Sequence, residues 1–369
     1  MATVNEKISE ELRAQARRLL AEGAVAAVVG FRAGSLPMTV RPLVVRRVED
    51  CDKLVWNSFC VLNLAGYLPE ALKSVEPPRG PRDPRPPEES LPKVAICATG
   101  CWSRNIVVQV QEHQVNRGRV VVMGVGSRGM VSRRKVEALF AGRTIVTVVE
   151  GEHDLVIHGP DWSETINRWS VVRDNCQTCT HPDPVLADVR IGEPVSERKN
   201  PNPFKQVDAI EQLSVDERWA WFTSEFSTCI RCYACRNACP LCYCPTCFVD
   251  DAKPQWVGKS IDGVDTGLFH ILRAYHCAGR CTDCGTCETV CPMGINMRML
   301  TKKLNKDVLN LFGVEAGLDV DAPLPLTTYT PNDPQGFILN YGDTIPNQTA
   351  DSSYVPVIVS EAAAGKEGK

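Results

Sequence analysis

The sequence has no run of about 18 apolar residues, the length a membrane-spanning helix requires. Its N-terminus, MATVNEKISEELRAQARRLL, is charged and helical in pattern, without the apolar core of a secretory signal. Neither sign of charge dominates: 41 Lys and Arg stand against 44 Asp and Glu, a net charge of −3. That balance argues against nucleic acid or an anionic membrane as partner. No Ser–His–Asp set or carboxylate pair stands out, and the six histidines show no metal-ligand spacing. A soluble cytoplasmic protein is expected, in which bond-making catalysis is not evident.

What the chain does have is cysteine, 18 in 369 residues. Nothing marks an oxidising compartment, so these cysteines mean metal before they mean disulfides. Eight fall in two copies of one phrase, C-x2-C-x2-C-x3-C-P. The first is Cys229, Cys232, Cys235, Cys239 and Pro240; the second is Cys281, Cys284, Cys287, Cys291 and Pro292. Zinc sites usually show two C-x2-C pairs, and a third cysteine at the same spacing fits zinc poorly.

The doubled phrase resembles the bacterial-type two-cluster ferredoxins. The resemblance implies a small α+β module in which three cysteines of each phrase wrap one 4Fe–4S cube and the fourth serves the other cube. One cube would take Cys229, Cys232, Cys235 and Cys291, and the other Cys281, Cys284, Cys287 and Cys239. Arg231, Arg236 and Arg280 lie close in sequence to these ligands and would raise the cluster potentials. Between the phrases, Trp256, Phe269, His270, Tyr275 and His276 are expected to shield the clusters from water.

The length suits two or three domains. Residues 1–76 read as an N-terminal α/β segment packing on the main domain, with a helix over 5–21 and strands at Ala24–Phe31 and Val40–Val48. Residues 77–90 (PPRGPRDPRPPEES) are a proline-rich linker loop. From 91 to 200 the pattern alternates: strand Val94–Cys97, helix Ser103–Val115, strand Val120–Val125, helix Ser132–Phe140, strand Thr144–Val149. That order implies an α/β domain with a mostly parallel sheet. The ferredoxin module with flanking helices occupies 201–313, and 314–369 reads as an extended tail.

The turn after Val120–Val125 contains G-x-G-x-x-G, with Gly124, Gly126, Ser127, Arg128 and Gly129, and Glu150 ends the next expected strand. That context fits a nucleotide or flavin site; a tight structural turn fits equally well. Ten cysteines remain. Cys51 and Cys60 suit small core positions. Cys97, Cys101, Cys176 and Cys179 are candidates for a third iron–sulfur or a zinc site. Cys242, Cys244, Cys247 and Cys277 are candidates for a further one, the alternative being packing beside a cube.

The run Cys176-Gln-Thr-Cys179 followed by Ala187-Asp188-Val-Arg-Ile-Gly192 resembles the beta-subunit family of deazaflavin-coenzyme-reducing hydrogenases and related formate dehydrogenases, as does the segment Val122–Met130. That resemblance implies a flavin-binding α/β domain with iron–sulfur clusters, FAD as a candidate cofactor, and redox subunits as partners. This chain departs from it at Ser127, where the family's turn usually carries cysteine. An iron–sulfur electron-transfer subunit of a formate dehydrogenase, hydrogenase or heterodisulfide-reductase-like complex follows. The alternatives are a flavin-dependent oxidoreductase acting on a nicotinamide or deazaflavin coenzyme, and a zinc-stabilised interaction module.

Overall fold

The computed structural model describes residues 3–80, 83, 84, 86–196 and 201–324. The chain opens with a helix, Val4–Ala21, started by a capping box between Thr3 and Glu6. Its apolar stripe, Leu12, Ala16 and Leu19, is buried against the main sheet. Eight strands follow in order: β1 Ala27–Ala33, β2 Val40–Val45, β3 Val94–Ala98, β4 Val120–Val125, β5 Thr147–Glu150, β6 Asp154–His158, β7 Ser163–Asn167 and β8 Val189–Ile191.

The main sheet has five strands in the order β2-β1-β3-β4-β8. β1, β3, β4 and β8 run parallel, with Val28 opposite Ala95, Ile96 opposite Val122 and Gly124 opposite Arg190. β2 is an antiparallel edge. β3 is buried throughout and β4 nearly so, as strands covered on both faces must be. Together with the helices this is an α/β arrangement with a mixed, mostly parallel sheet. Phe31, Trp56 and Trp102 meet edge-on or tilted inside it, with ring centroids 5.7 to 6.5 Å apart. Cys51 and Cys60 are fully buried in the same core. Strands from both sides of the proline-rich stretch pair directly, β1 with β3.

One expected strand lies elsewhere. β5 does not extend the parallel sheet; it pairs with β6 and β7 in a separate antiparallel sheet. Its residues alternate exposed and half-buried, which suits a sheet wet on one face. The place beside β4 goes to β8, which irregular sequence had concealed. Asp188, just before β8, clamps the join: its backbone N–H donates to Val122 O at 2.9 Å and its carboxylate accepts from Val122 N at 2.7 Å.

The helix after β3 begins earlier than its apolar pattern suggested, at Gly100 rather than Ser103, and runs to Gln111. Glycine is required there, because a Cβ at residue 100 would collide with the backbone carbonyls of His181 and Asp183. The early start puts Cys101 in the first helical turn.

The cysteine-rich half packs on this helix. Buried Gln109 donates to Ala65 O and Pro240 O, and Thr282 Oγ1 donates to Asn105 Oδ1 at 2.8 Å. The long helices Val215–Phe226, Gly263–His276 and Arg298–Phe312 frame a second core containing Phe226, Val249, Phe269, Ile295 and Met297. The start of the expected C-terminal tail is docked: buried Arg104 pairs with Glu315 at 2.9 Å and donates to Ala316 O. Residues 325–369 lie outside the described residues. Among the described residues no helix is long and apolar enough to cross a membrane.

Candidate metal centres

The two phrases fold alike. In the first, Arg231 and Tyr233 adopt left-handed backbone on either side of Cys232, with φ of 50° and 58°. In the second, Asp283 and Gly285 do the same around Cys284, with φ of 56° and 67°. Left-handed backbone costs a non-glycine residue on the order of 1 kcal/mol. The return is a loop tight enough to turn its cysteines inward. Arg231 N–H points to Cys229 Sγ and Asp283 N–H to Cys281 Sγ, both at 3.4 Å. Each loop then enters a short helix, Ala234–Asn237 or Thr286–Val290, and these two helices pack together. The crossing places each fourth cysteine beside the other loop.

Two cavities result. One is lined by Cys229, Cys232, Cys235 and Cys291. The other is lined by Cys239, Cys281, Cys284 and Cys287, with Cys277 as a fifth. Burial pushes the thiols of Cys235, Cys281 and Cys287 up. Such thiols give up their protons readily only when a cationic centre replaces them, as iron does. Among the described residues no three His, Cys, Asp or Glu side chains converge closely enough to hold a single metal ion. The four cysteines of each set ring a cavity, the arrangement a cube needs.

A third cavity, of about 110 Å³, is lined by Cys101, Cys176 and Cys179 and shares Cys281 with the second. Thr282 Oγ1 donates to Cys101 O at 2.9 Å, so the two sites share a wall. Cys97 does not reach this cavity; it is buried in the sheet core next to Gly30, and burial pushes its thiol up to about 12. Of the last four candidates, Cys277 and Cys242 hydrogen-bond with Cys239. Cys247 packs with the core around Phe269, where Arg236 reaches it, and Cys244 is exposed.

The glycine-loop residues are not brought around one cavity. A Cβ at Gly124 would meet Ala187 and Pro184, and one at Gly126 would meet Val195 and Asp183. The close approach that glycine permits is taken here by the chain's own 183–195 stretch. Ser127 and Gly129 line the third cavity, whereas Arg128 faces Glu152. Arg133, Arg134, Lys135 and Arg173 instead line a groove of about 520 Å³ between the sheet side and the second phrase. Glu150 lines neither the third cavity nor this basic groove and is engaged within the protein, accepting from Ser58 and Asn5.

The surroundings of the cysteines also differ from the expectation. Phe269 and His270 are buried, but Trp256 and Tyr275 are more than half exposed and His276 is exposed, so these three shield nothing. Arg236 and Arg280 are neutralised by Asp250 and Glu112, and Arg231 is held by the carbonyls of Gly258 and Ser260 near Asp265. Two groups stand closer to the chemistry: Arg273, which sequence position did not single out, and His270, expected only to shield. Arg273 lies buried between the two ferredoxin cavities. His270 Nε2 is 3.3 Å from Cys229 Sγ. Burial, reinforced by Arg273 and Arg231, pushes the His270 pKa down; in the tautomer protonated at Nε2 the ring donates that N–H to sulfur. Hydrogen bonds to cluster sulfurs raise the potential. His270→Phe is expected to lower the midpoint of the cube at Cys229 by about 60 mV, the equivalent of a tenfold change for one electron, and to leave the other unmoved. His270→Gln, which keeps a donor, should recover part of the shift in a potentiometric titration followed by electron paramagnetic resonance.

Known proteins resemble this chain in the following respects. Residues 225–295 match the family model described as the 4Fe-4S dicluster domain. The chain is 23% identical over 294 aligned positions, covering 63% of it and 75% of the relative, to F420-dependent formate dehydrogenase subunit beta of Methanocaldococcus jannaschii. It is 23% identical over 377 aligned positions, covering 83% of it and 89% of the relative, to F420-dependent formate dehydrogenase 1 subunit beta of Methanococcus maripaludis. A chain of the F420-reducing NiFe hydrogenase complex of Methanosarcina barkeri, solved as a xenon derivative, aligns with a TM-score of 0.36 and 15% identity over 62% of this chain and 91% of that one. The chain is an iron–sulfur protein with a 4Fe–4S dicluster segment, homologous over most of its length to the beta subunits of F420-dependent formate dehydrogenases.

Proposed function

We propose that this chain relays single electrons through 4Fe–4S clusters as a subunit of a multi-subunit oxidoreductase of the formate dehydrogenase, hydrogenase or heterodisulfide-reductase-like kind. The observation that carries the reading is the cysteine geometry: two cavities, each walled by three thiols of one phrase and one of the other, with a third cavity sharing a wall with the second. Cysteines 229, 232, 235 and 291 would hold one cube, and 239, 281, 284 and 287 the other. Cys101, Cys176 and Cys179 would hold a third, with a fourth ligand from outside the cysteines assigned to the ferredoxin pair. The clusters supply reversible one-electron chemistry. The protein would space them and tune them with Arg273 and His270.

Iron and acid-labile sulfide analysis of anaerobically purified protein tests this. About eight irons belong to the ferredoxin pair and about four more to the third site. Eight alone would confine the relay to two cubes, and zinc without sulfide would overturn it in favour of an interaction module.

A second reading is favoured by the groove of Arg133, Arg134, Lys135 and Arg173, in which Arg134 and Arg173 have no carboxylate partner among the described residues and could meet an anionic cofactor such as FAD, although Glu137, Asp174 and Glu288 also line it. The chain would then exchange electrons itself with a nicotinamide coenzyme or a deazaflavin such as the F420 for which its relatives are named. A flavin absorbance band, together with oxidation of reduced coenzyme by a dye acceptor, would establish it.

A further inference from the structure

Arg273, on the Gly263–His276 helix, is 5% exposed. Its guanidinium donates to the carbonyl oxygen of Cys235, a residue of the first cavity, at 3.1 Å. The same side chain lines the second cavity with Cys239, Cys281, Cys284 and Cys287. Its Nε finds no hydrogen-bond partner, and among the described residues no carboxylate lies within ion-pair distance of it. Other arginines of this half are differently supplied. Arg298 has Asp283 and Glu288, Arg280 has Glu112, and Arg236 has Asp250.

An unpaired buried guanidinium costs several kcal/mol, because its hydration is lost and nothing replaces it. A fold that places one here must supply negative charge from another source. The groups around Arg273 that can carry negative charge once they ligate iron are sulfurs of both cavities: Cys277, Cys239 and Cys287 on one side, and Cys235 on the other.

We infer that Arg273 is a counter-ion shared by the two cubes, a fixed positive charge that raises the midpoint potential of both and keeps them matched for transfer between them. Each cube gains one negative charge when it accepts an electron. A permanent cation between them favours the reduced form of either by Coulomb attraction through a poorly screening interior. A cation beside one cube alone would separate their potentials; one that lines the second cavity and bonds to the backbone of Cys235 in the first acts on both. The inference rests on the two-cube reading above.

The test uses the full chain with its clusters in place, in a redox titration followed by electron paramagnetic resonance. Arg273→Met keeps much of the volume and removes the charge. Both midpoints should fall, each by about 59 mV, the value of a tenfold change in the ratio of reduced to oxidised form for a one-electron couple. Arg273→Lys keeps the charge and loses the planar fork, and should hold both midpoints near the wild-type values. A fall at one cube only, or at neither, overturns the shared role. If the Met variant does not load its clusters, the Lys variant decides. Two cubes at unchanged midpoints show that charge is what the site needs; failure to load, or midpoints as low as charge loss predicts, overturns the inference. Iron and sulfide analysis of the same wild-type preparation separates the two levels. A chain without cubes defeats the two-cube reading, and a chain with both cubes and unmoved potentials defeats this inference alone.

Discussion

Cys239→Ala is expected to empty the site of the second phrase, although Cys239 is written in the first. The protein should lose about four irons per chain, and the remaining ferredoxin signal should be that of the cube at Cys229, Cys232 and Cys235. Cys291→Ala should do the reverse. The basis is the crossing of the two short helices, which carries Cys239 to the cavity of Cys281, Cys284 and Cys287 and brings Cys291 to the other. Combining each substitution with a second one makes the test sharp. Cys239→Ala with Cys284→Ala should lose no more iron than either alone, whereas Cys239→Ala with Cys232→Ala should lose both cubes. If iron loss instead follows the phrases as written, the crossed assignment is wrong. Cys277 gives a further outcome to watch, since it stands beside Cys239 and lines the same cavity. Iron retained in Cys239→Ala but lost when Cys277 is also changed would show that it can take over as ligand.

Arg298→Met is expected to cost about 3 kcal/mol of stability. The Arg298 side chain is 1% exposed, with Asp283 at 2.8 Å and Glu288 at 2.9 Å. Burial works to raise the Asp283 pKa, but Arg298 and Lys302 outweigh it and hold the carboxyl below its usual range. Asp283 is also one of the left-handed residues of the second phrase, so the ion pair helps hold the ligand loop in its strained turn. Removing the guanidinium leaves two half-buried carboxylates with Lys302 as their remaining support. Loss of the second cube should therefore accompany the fall in stability. Denaturant unfolding of the holo-protein, followed through the visible absorbance of the clusters, measures both. The double variant Arg298→Met with Asp283→Asn should recover part of the loss, because it removes one of the orphaned charges. A cost below about 0.5 kcal/mol would mean that the pair is screened like a surface ion pair.

The pairing of Arg298 illustrates a wider pattern in the charges of this half. Five of its arginines sit near ligand cysteines, yet their electrostatic effects differ according to what faces them. Arg236 and Arg280 each stand next to a cysteine of the phrases, Cys235 and Cys281, but Asp250 and Glu112 neutralise them. Arg273 stands far in sequence from the first phrase, yet it lines the second cavity and bonds to Cys235 of the first. Distance along the chain is a poor guide to field at a cluster, because the partner carboxylates come from segments far away in sequence.

The residues of this chain alone determined whatever depends on short-range spacing. The doubled cysteine phrase is such a feature, since three cysteines two residues apart can wrap a cube only through a local turn. The strands β1, β3 and β4 are another, because buried parallel strands are written as continuous apolar runs. Tertiary structure decided where distant segments meet. It moved Thr147–Glu150 out of the main sheet and gave its place to Val189–Ile191, a strand of three residues too short to show a period. It started the Gly100–Gln111 helix directly after β3, which brought Cys101 to Cys176 and Cys179 and left Cys97 inside the sheet. It filled the glycine turn at 124–129 with the chain's own 183–195 stretch. It also left Arg273 without a carboxylate between two rings of sulfur. Spacing along a chain specifies a loop, but the neighbours of a buried charge are set by packing between segments tens or hundreds of residues apart.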